Sequence, residues 1–216
     1  MSLADVVCPT CRRFWHGPAG QLPFPSPQGR YCENEGHALG RRPDRVQVVR
    51  RDGSVEVDWL TLDDEREAHE HARAVCEYAK RAGLNHSRGE FDSFEAEVEN
   101  RRRAFLAEKA VAVFAGEPWN KVVGVRRDVP DVGADIEVKW RSRPNGELII
   151  RPEDNESWRF VLARGWPTLT LAGWIYGVEA SDLRVSVAWA RNSRDHWIPA
   201  DRLRPIGSLQ SGRGTE

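Results

Sequence analysis

The sequence predicts an α+β fold: two long helices followed by a run of β-strands, the whole preceded by a small zinc-binding module. Three observations carry that reading. Apolar residues recur at helical spacing between positions 61 and 115, short β-rich runs take over from Lys121 onward, and three of the four cysteines fall in the first 32 residues. The 216 residues divide accordingly into a zinc-binding module over 1–43, a main domain over 44–207 and a flexible tail over 208–216.

The first element is the cysteine cluster. Cys8-Pro-Thr-Cys11, Cys32 and His37 are spaced as zinc ligands, and thiolates with an imidazole form the soft tetrahedral set that a structural zinc ion prefers. His16 is an alternative fourth ligand. The loop from Phe14 to Tyr31 is rich in Pro and Gly and has little core of its own, so a metal staple would be what orders it. Cys76 stands apart, on an amphipathic segment, and reads as a buried core thiol.

A hairpin comes next, with Val46–Val49 and Val55–Trp59 flanking the Asp52-Gly53 turn. Thr61 then caps a helix that carries acids in its first turn, runs to about Arg81 and stops at Gly83. Asp92-Ser-Phe-Glu95 opens a second helix, through a capping box, that ends at Gly116 and Pro118. Its apolar stripe is Ala104, Ala107, Val111 and Phe114, and Glu108 lies along that stripe. A carboxylate there must pair, bind a metal or shift its pKa; Arg102 and Lys109 are within helical reach as ion-pair partners. His69 and His71 are two residues apart on a helix and share no face, which makes them poor joint ligands.

Six strands follow, over 122–126, 134–140, 147–151, 158–163, 168–175 and 184–189, joined as antiparallel hairpins. Turn signals fall at Asp131-Val-Gly133, Pro144-Asn-Gly146 and Pro152-Glu-Asp154. Ser208 to Glu216, with its Gly and Ser, reads as a loose tail.

Within this β region Pro130-Asp131 is followed by Glu137-Val138-Lys139. On a strand Glu137 and Lys139 project to one side, while Ile136, Val138 and Trp140 face the other. Carboxylates hold a hard divalent ion through oxygen, and the ion polarises a phosphate and activates water. A lysine beside them can steer that water or neutralise charge on the phosphoryl oxygens. The lysine stands out because only four of the 32 basic residues are Lys (Lys80, Lys109, Lys121 and Lys139). A chain that otherwise uses Arg has placed an amine here.

This arrangement resembles the PD-(D/E)XK nuclease superfamily over roughly residues 91 to 151. The resemblance implies a restriction-endonuclease-like mixed sheet flanked by helices, and a metal-dependent DNA endonuclease that hydrolyses phosphodiester bonds. It places Asp131 and Glu137 on Mg²⁺ or Mn²⁺, Lys139 at the reacting water or phosphate, and Glu108 in support of the metal or its water. Five residues separate Asp131 from Glu137, which is short for the superfamily and implies a tight hairpin. Asp135 lies on the same strand face as Glu137 and rivals Asp131 as metal ligand.

A second reading is a catalytically inactive, zinc-containing nucleic-acid-binding or scaffold protein. Arg12, Arg13, Arg41, Arg42, Arg45, Arg50 and Arg51 would then supply phosphate contacts. A third is an interaction module anchored by Trp166 or Trp197. The net charge of −1 argues against a uniformly basic nucleic-acid surface, so DNA contact must use local Arg clusters. No apolar run reaches membrane-span length, the N-terminus lacks a signal-peptide pattern, and a cytoplasmic protein is expected. The partner expected is nucleic acid, DNA above all; a homodimer or a phage or bacterial protein partner is also compatible. No P-loop is present, so translocation would need a partner.

The zinc assignment has a direct check. Protein purified without chelator should carry one zinc ion per chain, and removing it should unfold the N-terminal module while the sheet domain stays folded. Metal analysis that finds no zinc would remove the assignment.

Overall fold

The computed structural model describes residues 3–7, 14–18, 47–84, 91–124, 128–180, 182 and 195–212. The four proposed zinc ligands Cys8, Cys11, Cys32 and His37, together with Arg12, Arg13, Arg41, Arg42 and Arg45, lie outside these residues. The fold is α+β. Two helices lie against a mixed sheet whose central part runs β4 (Val55–Glu56), β8 (Thr170–Tyr176), β7 (Arg159–Arg164) and β5 (Ile136–Arg141). Beyond β4 the backbone pairing continues through β3 (Gln47–Val49), β1 (Leu3–Val7) and β2 (Phe14–Pro18). A separate two-stranded sheet pairs β6 (Leu148–Ile150) with β9 (His196–Ile198).

Both helices begin and end where their caps dictate. In α1 (Leu62–Arg81) the Thr61 hydroxyl accepts from the Asp64 amide, and Asp64 accepts from the Thr61 amide, a reciprocal capping box. Gly83 follows its end at φ +66°. In α2 (Phe94–Ala115) the cap is Ser93, which accepts from the Ala96 amide at 3.1 Å. With Ala96 at the third position there is no capping box here, because the Ala methyl group has no acceptor to return the bond. Gly116 closes the helix in the left-handed conformation at φ +70°, donating to the Ala112 carbonyl.

The helix α2 packs on the sheet through Ala107, Ala110, Val111 and Phe114, which join Ile136, Val138, Val161, Leu171 and Trp174 in one buried cluster. Ile136 and Val138 supply the inward face of β5, as alternation requires. On the other side of the sheet a second cluster gathers Leu148, Ile150, Phe160, Leu162, Ile175 and Ile198. Cys76 is buried with Ala72 and Val98 between the helices, and burial raises its thiol pKa, as a core cysteine's should be.

Three expectations differ from the structure. The strands β5 and β7 pair in parallel rather than as a hairpin, with Glu137 opposite Phe160 and Lys139 opposite Leu162. The chain between them is long enough to cross and return, and it places β6 against β9 on the way. Of the strand expected over 122–126, residues 122–124 form none, and residues 125 and 126 lie outside the described residues. Beyond Ser208, where Gly and Ser suggest a loose tail, a 3₁₀ helix spans Ile206–Gly212; Leu209 is buried, and its carbonyl accepts from Arg159 at 3.1 Å. Two buried apolar side chains, Ile206 and Leu209, the Leu209 carbonyl and the Ser208 hydroxyl, which accepts from the Trp174 indole at 2.9 Å, hold this segment on the sheet. The strand expected over 184–189 lies outside the described residues.

Because the Thr61 cap satisfies the first turn of the helix that supports α2, Thr61→Ala should lower stability by about 1 kcal/mol. Urea unfolding monitored by circular dichroism measures this, and a change below a few tenths would show that tertiary packing alone holds the helix start.

Candidate active site

Four sequence-predicted residues converge at one end of the edge strand β5. The turn before this strand is the tight hairpin the short spacing requires. Val132 and Ile136 exchange both backbone hydrogen bonds, at 2.9 and 3.1 Å, and enclose Gly133, Ala134 and Asp135. Gly133 adopts φ +60°, which lets the chain reverse in so few residues. The reversal brings Asp131 back alongside β5, where its Oδ2 accepts from the Val138 amide at 2.8 Å.

The segment after α2 brackets this turn from below. The Asn120 side-chain amide donates to the Pro130 carbonyl at 2.9 Å and the Gly133 carbonyl at 2.7 Å, while its backbone amide donates to the Asp131 carbonyl at 2.9 Å. Its neighbour Trp119 donates its indole N–H to Glu108 Oε2 at 2.9 Å. Two consecutive residues thus hold the Glu108 carboxylate and the backbone of the turn that carries Asp131. Neither ion-pair partner suggested for Glu108 engages it. Arg102 pairs with Glu99 at 2.7 Å, and Lys109 pairs with Glu67 at 2.6 Å.

Glu108 is buried, at 9% exposure, and its pKa is raised well above the ordinary value. Desolvation is the main cause and the neighbouring charge of Asp131 the next; Glu137 adds less, and the Trp119 bond works in the opposite direction. Asp131 is raised to about 7, again chiefly by desolvation and then by the charge of Glu137. The Val138 amide and Lys139 lower it, and a side-chain hydrogen bond to Glu137 favours its protonated form. Asp131 thus interacts electrostatically with both Glu108 and Glu137.

Glu137 and Lys139 share the outward face of β5, as alternation predicts. The Lys139 ammonium lies 3.0 Å from Glu137 Oε1 and 3.1 Å from Asp154 Oδ2, and 5.6 Å from the centre of the Phe160 ring. Burial lowers its pKa, but the charges of Glu137 and Asp154 outweigh this and the net shift is upward. The rival ligand Asp135 is committed elsewhere. It accepts both arms of the Arg159 guanidinium, at 2.6 and 2.8 Å.

These groups open onto a cleft of about 240 Å³, lined by Asp131, Glu137, Lys139, Arg151, Glu153 and Asp154 among others. Four carboxyl groups and two cations leave it anionic. Oxygen donors at this density suit a hard divalent cation, and a cation would relieve the repulsion that raises Glu108 and Asp131. As the side chains lie, no three His, Cys, Asp or Glu groups among the described residues are arranged to hold a metal ion. Asp131 faces a backbone amide and Glu137 faces Lys139, so both must turn to share one. Sequence reasoning missed Trp119, Asn120 and Asp154. Asp154 was visible only as part of a turn signal, and the other two only as residues after a helix stop.

Other residues singled out in the sequence have structural roles here. His71 is buried against Phe105 and Trp119, with ring centres 4.4 and 5.5 Å away, and desolvation together with Lys121 lowers its pKa. Trp166 is partly exposed beneath Arg102 and Arg103. Arg50 is paired with Glu56. No helix among the described residues is long and apolar enough to cross a membrane. No family model, curated protein or solved structure matches the chain.

The raised carboxyl groups set a direction for pH dependence. A group whose folded pKa exceeds its unfolded value contributes stability that is complete below the unfolded value and is lost as pH rises through the folded one. For Asp131 that window runs from its ordinary value of 3.8 to about 7, and Glu108 acts in the same sense. Metal-free protein should therefore lose roughly 2–4 kcal/mol of stability between pH 4 and pH 8 from Asp131. Asp131→Asn should flatten this loss. Parallel melting-temperature profiles for the two proteins would show that Asp131 is not the strained group.

Proposed function

We propose that the protein is a metal-dependent nuclease that hydrolyses phosphodiester bonds in DNA, with Asp131, Glu137, Lys139 and Glu108 as its active centre. The observation that carries this reading is the meeting of buried Glu108 with Asp131 and Glu137, the last two lining an anionic cleft together with Lys139. Carboxyl groups crowded so closely that two of them resist ionisation cost stability, and a cation offsets that cost. The tight hairpin that aligns Asp131 with β5 supports the same reading, as does the α+β arrangement of mixed sheet and helices. A restriction-endonuclease-like fold is part of the proposal.

Asp131 and Glu137 would hold Mg²⁺ or Mn²⁺, with Glu108 supporting from behind. When bound, the ion supplies positive charge at the phosphate and lowers the pKa of water. The remaining work falls to the chain. Glu108, fixed by the Trp119 indole, limits where Asp131 can turn. Lys139 presents a compact positive charge toward the cleft, where negative charge grows on the phosphoryl oxygens as the water attacks. Arg151 at the cleft wall can meet a neighbouring phosphate. A structural Zn²⁺ on Cys8, Cys11, Cys32 and His37 belongs to the same proposal.

The second reading, a non-catalytic zinc-containing nucleic-acid-binding or scaffold protein, draws on one feature. Lys139 already pairs with both Glu137 and Asp154, an ion network that forms without metal.

Nicking of plasmid, single-stranded and branched DNA with Mg²⁺ or Mn²⁺ separates the two. Cleavage should need the divalent ion, and Mn²⁺ should raise the melting temperature of wild type but not of Asp131→Ala or Glu137→Ala. Lys139→Ala should keep the Mn²⁺ shift and lose roughly a hundredfold or more in turnover, as loss of a group acting on transition-state charge does. Lys139→Arg should be poorly tolerated, because the guanidinium is planar and bulkier. Metal-independent DNA binding without cleavage on any substrate would favour the scaffold reading.

A further inference from the structure

Asp154 reaches the active centre from a part of the chain outside the motif. It follows β6 in a turn whose backbone closes from the Asp154 amide to the Arg151 carbonyl at 3.0 Å. Its Oδ2 also accepts from the Arg151 amide at 2.9 Å, so the carboxylate is fixed to its own turn. Both oxygens then face Lys139, Oδ1 at 3.2 Å and Oδ2 at 3.1 Å. The ammonium is therefore held from two sides, by Glu137 on its own strand and by Asp154 across the cleft.

These two partners are not equivalent. Glu137 sits beside Asp131 and is the carboxylate that a divalent ion would claim. Asp154 is tied to a backbone amide and does not figure among the charges that raise Asp131 or Glu108. A lysine with a four-carbon stem loses its aim when its sole anchor leaves, since its rotamer freedom is large. With a second, fixed anchor the direction survives.

We propose that Asp154 is the positioning residue for Lys139: it keeps the ammonium aimed into the cleft when Glu137 turns toward a metal ion. The catalytic part of this assignment rests on the nuclease reading, whereas the holding of the amine can be measured without any turnover. Asp154→Asn is the informative variant. Asn keeps an oxygen to accept from the Arg151 amide, so the turn persists, while the charge that holds Lys139 is gone.

Because the chain has only four lysines, their reactivity toward an amine-acetylating reagent can be read one by one by mass spectrometry. Exposed Lys80 serves as the internal reference. Wild-type Lys139 should acetylate more slowly than Lys80. Asp154→Asn should raise the Lys139 to Lys80 ratio roughly fivefold or more, with Lys109 and Lys121 unchanged, as expected when one of two charged anchors is removed. Asp154→Glu should recover most of the protection, and in a Glu137→Gln background Asp154→Asn should still raise the ratio, because Asp154 is then the remaining charged anchor. No rise in Asp154→Asn, whether Glu137 is present or replaced by Gln, overturns the proposal.

Where wild type cuts DNA, Asp154→Asn should lower kcat roughly tenfold with KM little changed, the signature of a misaimed group. The loss should vanish in a Lys139→Ala background, since an effect exerted through Lys139 cannot add to its removal. Additive losses overturn the positioning role. If wild type cuts nothing but the acetylation pattern holds, the nuclease reading fails while Asp154 remains the anchor of Lys139.

Discussion

Asp131 is largely desolvated and feels the charge of two other carboxyl groups, and the surrounding structure has to contain their mutual repulsion. Glu108 arrives from the apolar face of α2, Asp131 from the hairpin turn and Glu137 from β5. Each local feature nearby limits that repulsion. The Trp119 indole and the Val138 amide each donate to one carboxylate, and Lys139 places its charge beside Glu137. Without these donors the desolvation that raises Glu108 and Asp131 would be harder to sustain.

The backbone that holds the acids is short and densely bonded. Asn120 clasps the turn at Pro130, Asp131 and Gly133 with three hydrogen bonds, and the Val132–Ile136 pair closes it. Below the turn, Trp119 is flanked by His71 and Phe105, with Lys109 and Lys121 near its ring. Those two lysines converge on Glu67, at 2.6 and 2.7 Å, and Lys109 also lies 3.6 Å from Asp64, so a charge-balanced layer backs the uncompensated one. Three of the four lysines thus serve carboxylates around this end of the fold.

The parallel pairing of β5 with β7 matters to the site as well. It sends the chain out through residues 142–158 before it returns, and that excursion carries Arg151 and Asp154 over the outward face of β5. An antiparallel hairpin would have been too short to do so. The cleft is the space left between this excursion and the strand.

Much of this was legible along the chain because it depends on neighbours in sequence. Thr61, Gly83 and Gly116 mark helix ends through caps and left-handed turns, and Ile136, Val138 and Glu137, Lys139 take opposite faces through strand alternation. The six-residue step from Asp131 to Glu137 forces a tight hairpin whatever surrounds it. Partnership across the fold was not legible. Glu108 takes Trp119 rather than Arg102 or Lys109, Asp135 is drawn off by Arg159, and Asp154 reaches Lys139 from fifteen residues away. Local periodicity sets which face a side chain occupies, but long-range packing sets what it meets there. Charges in a desolvated site respond to every neighbour within a few ångströms, and those neighbours are chosen by the tertiary fold.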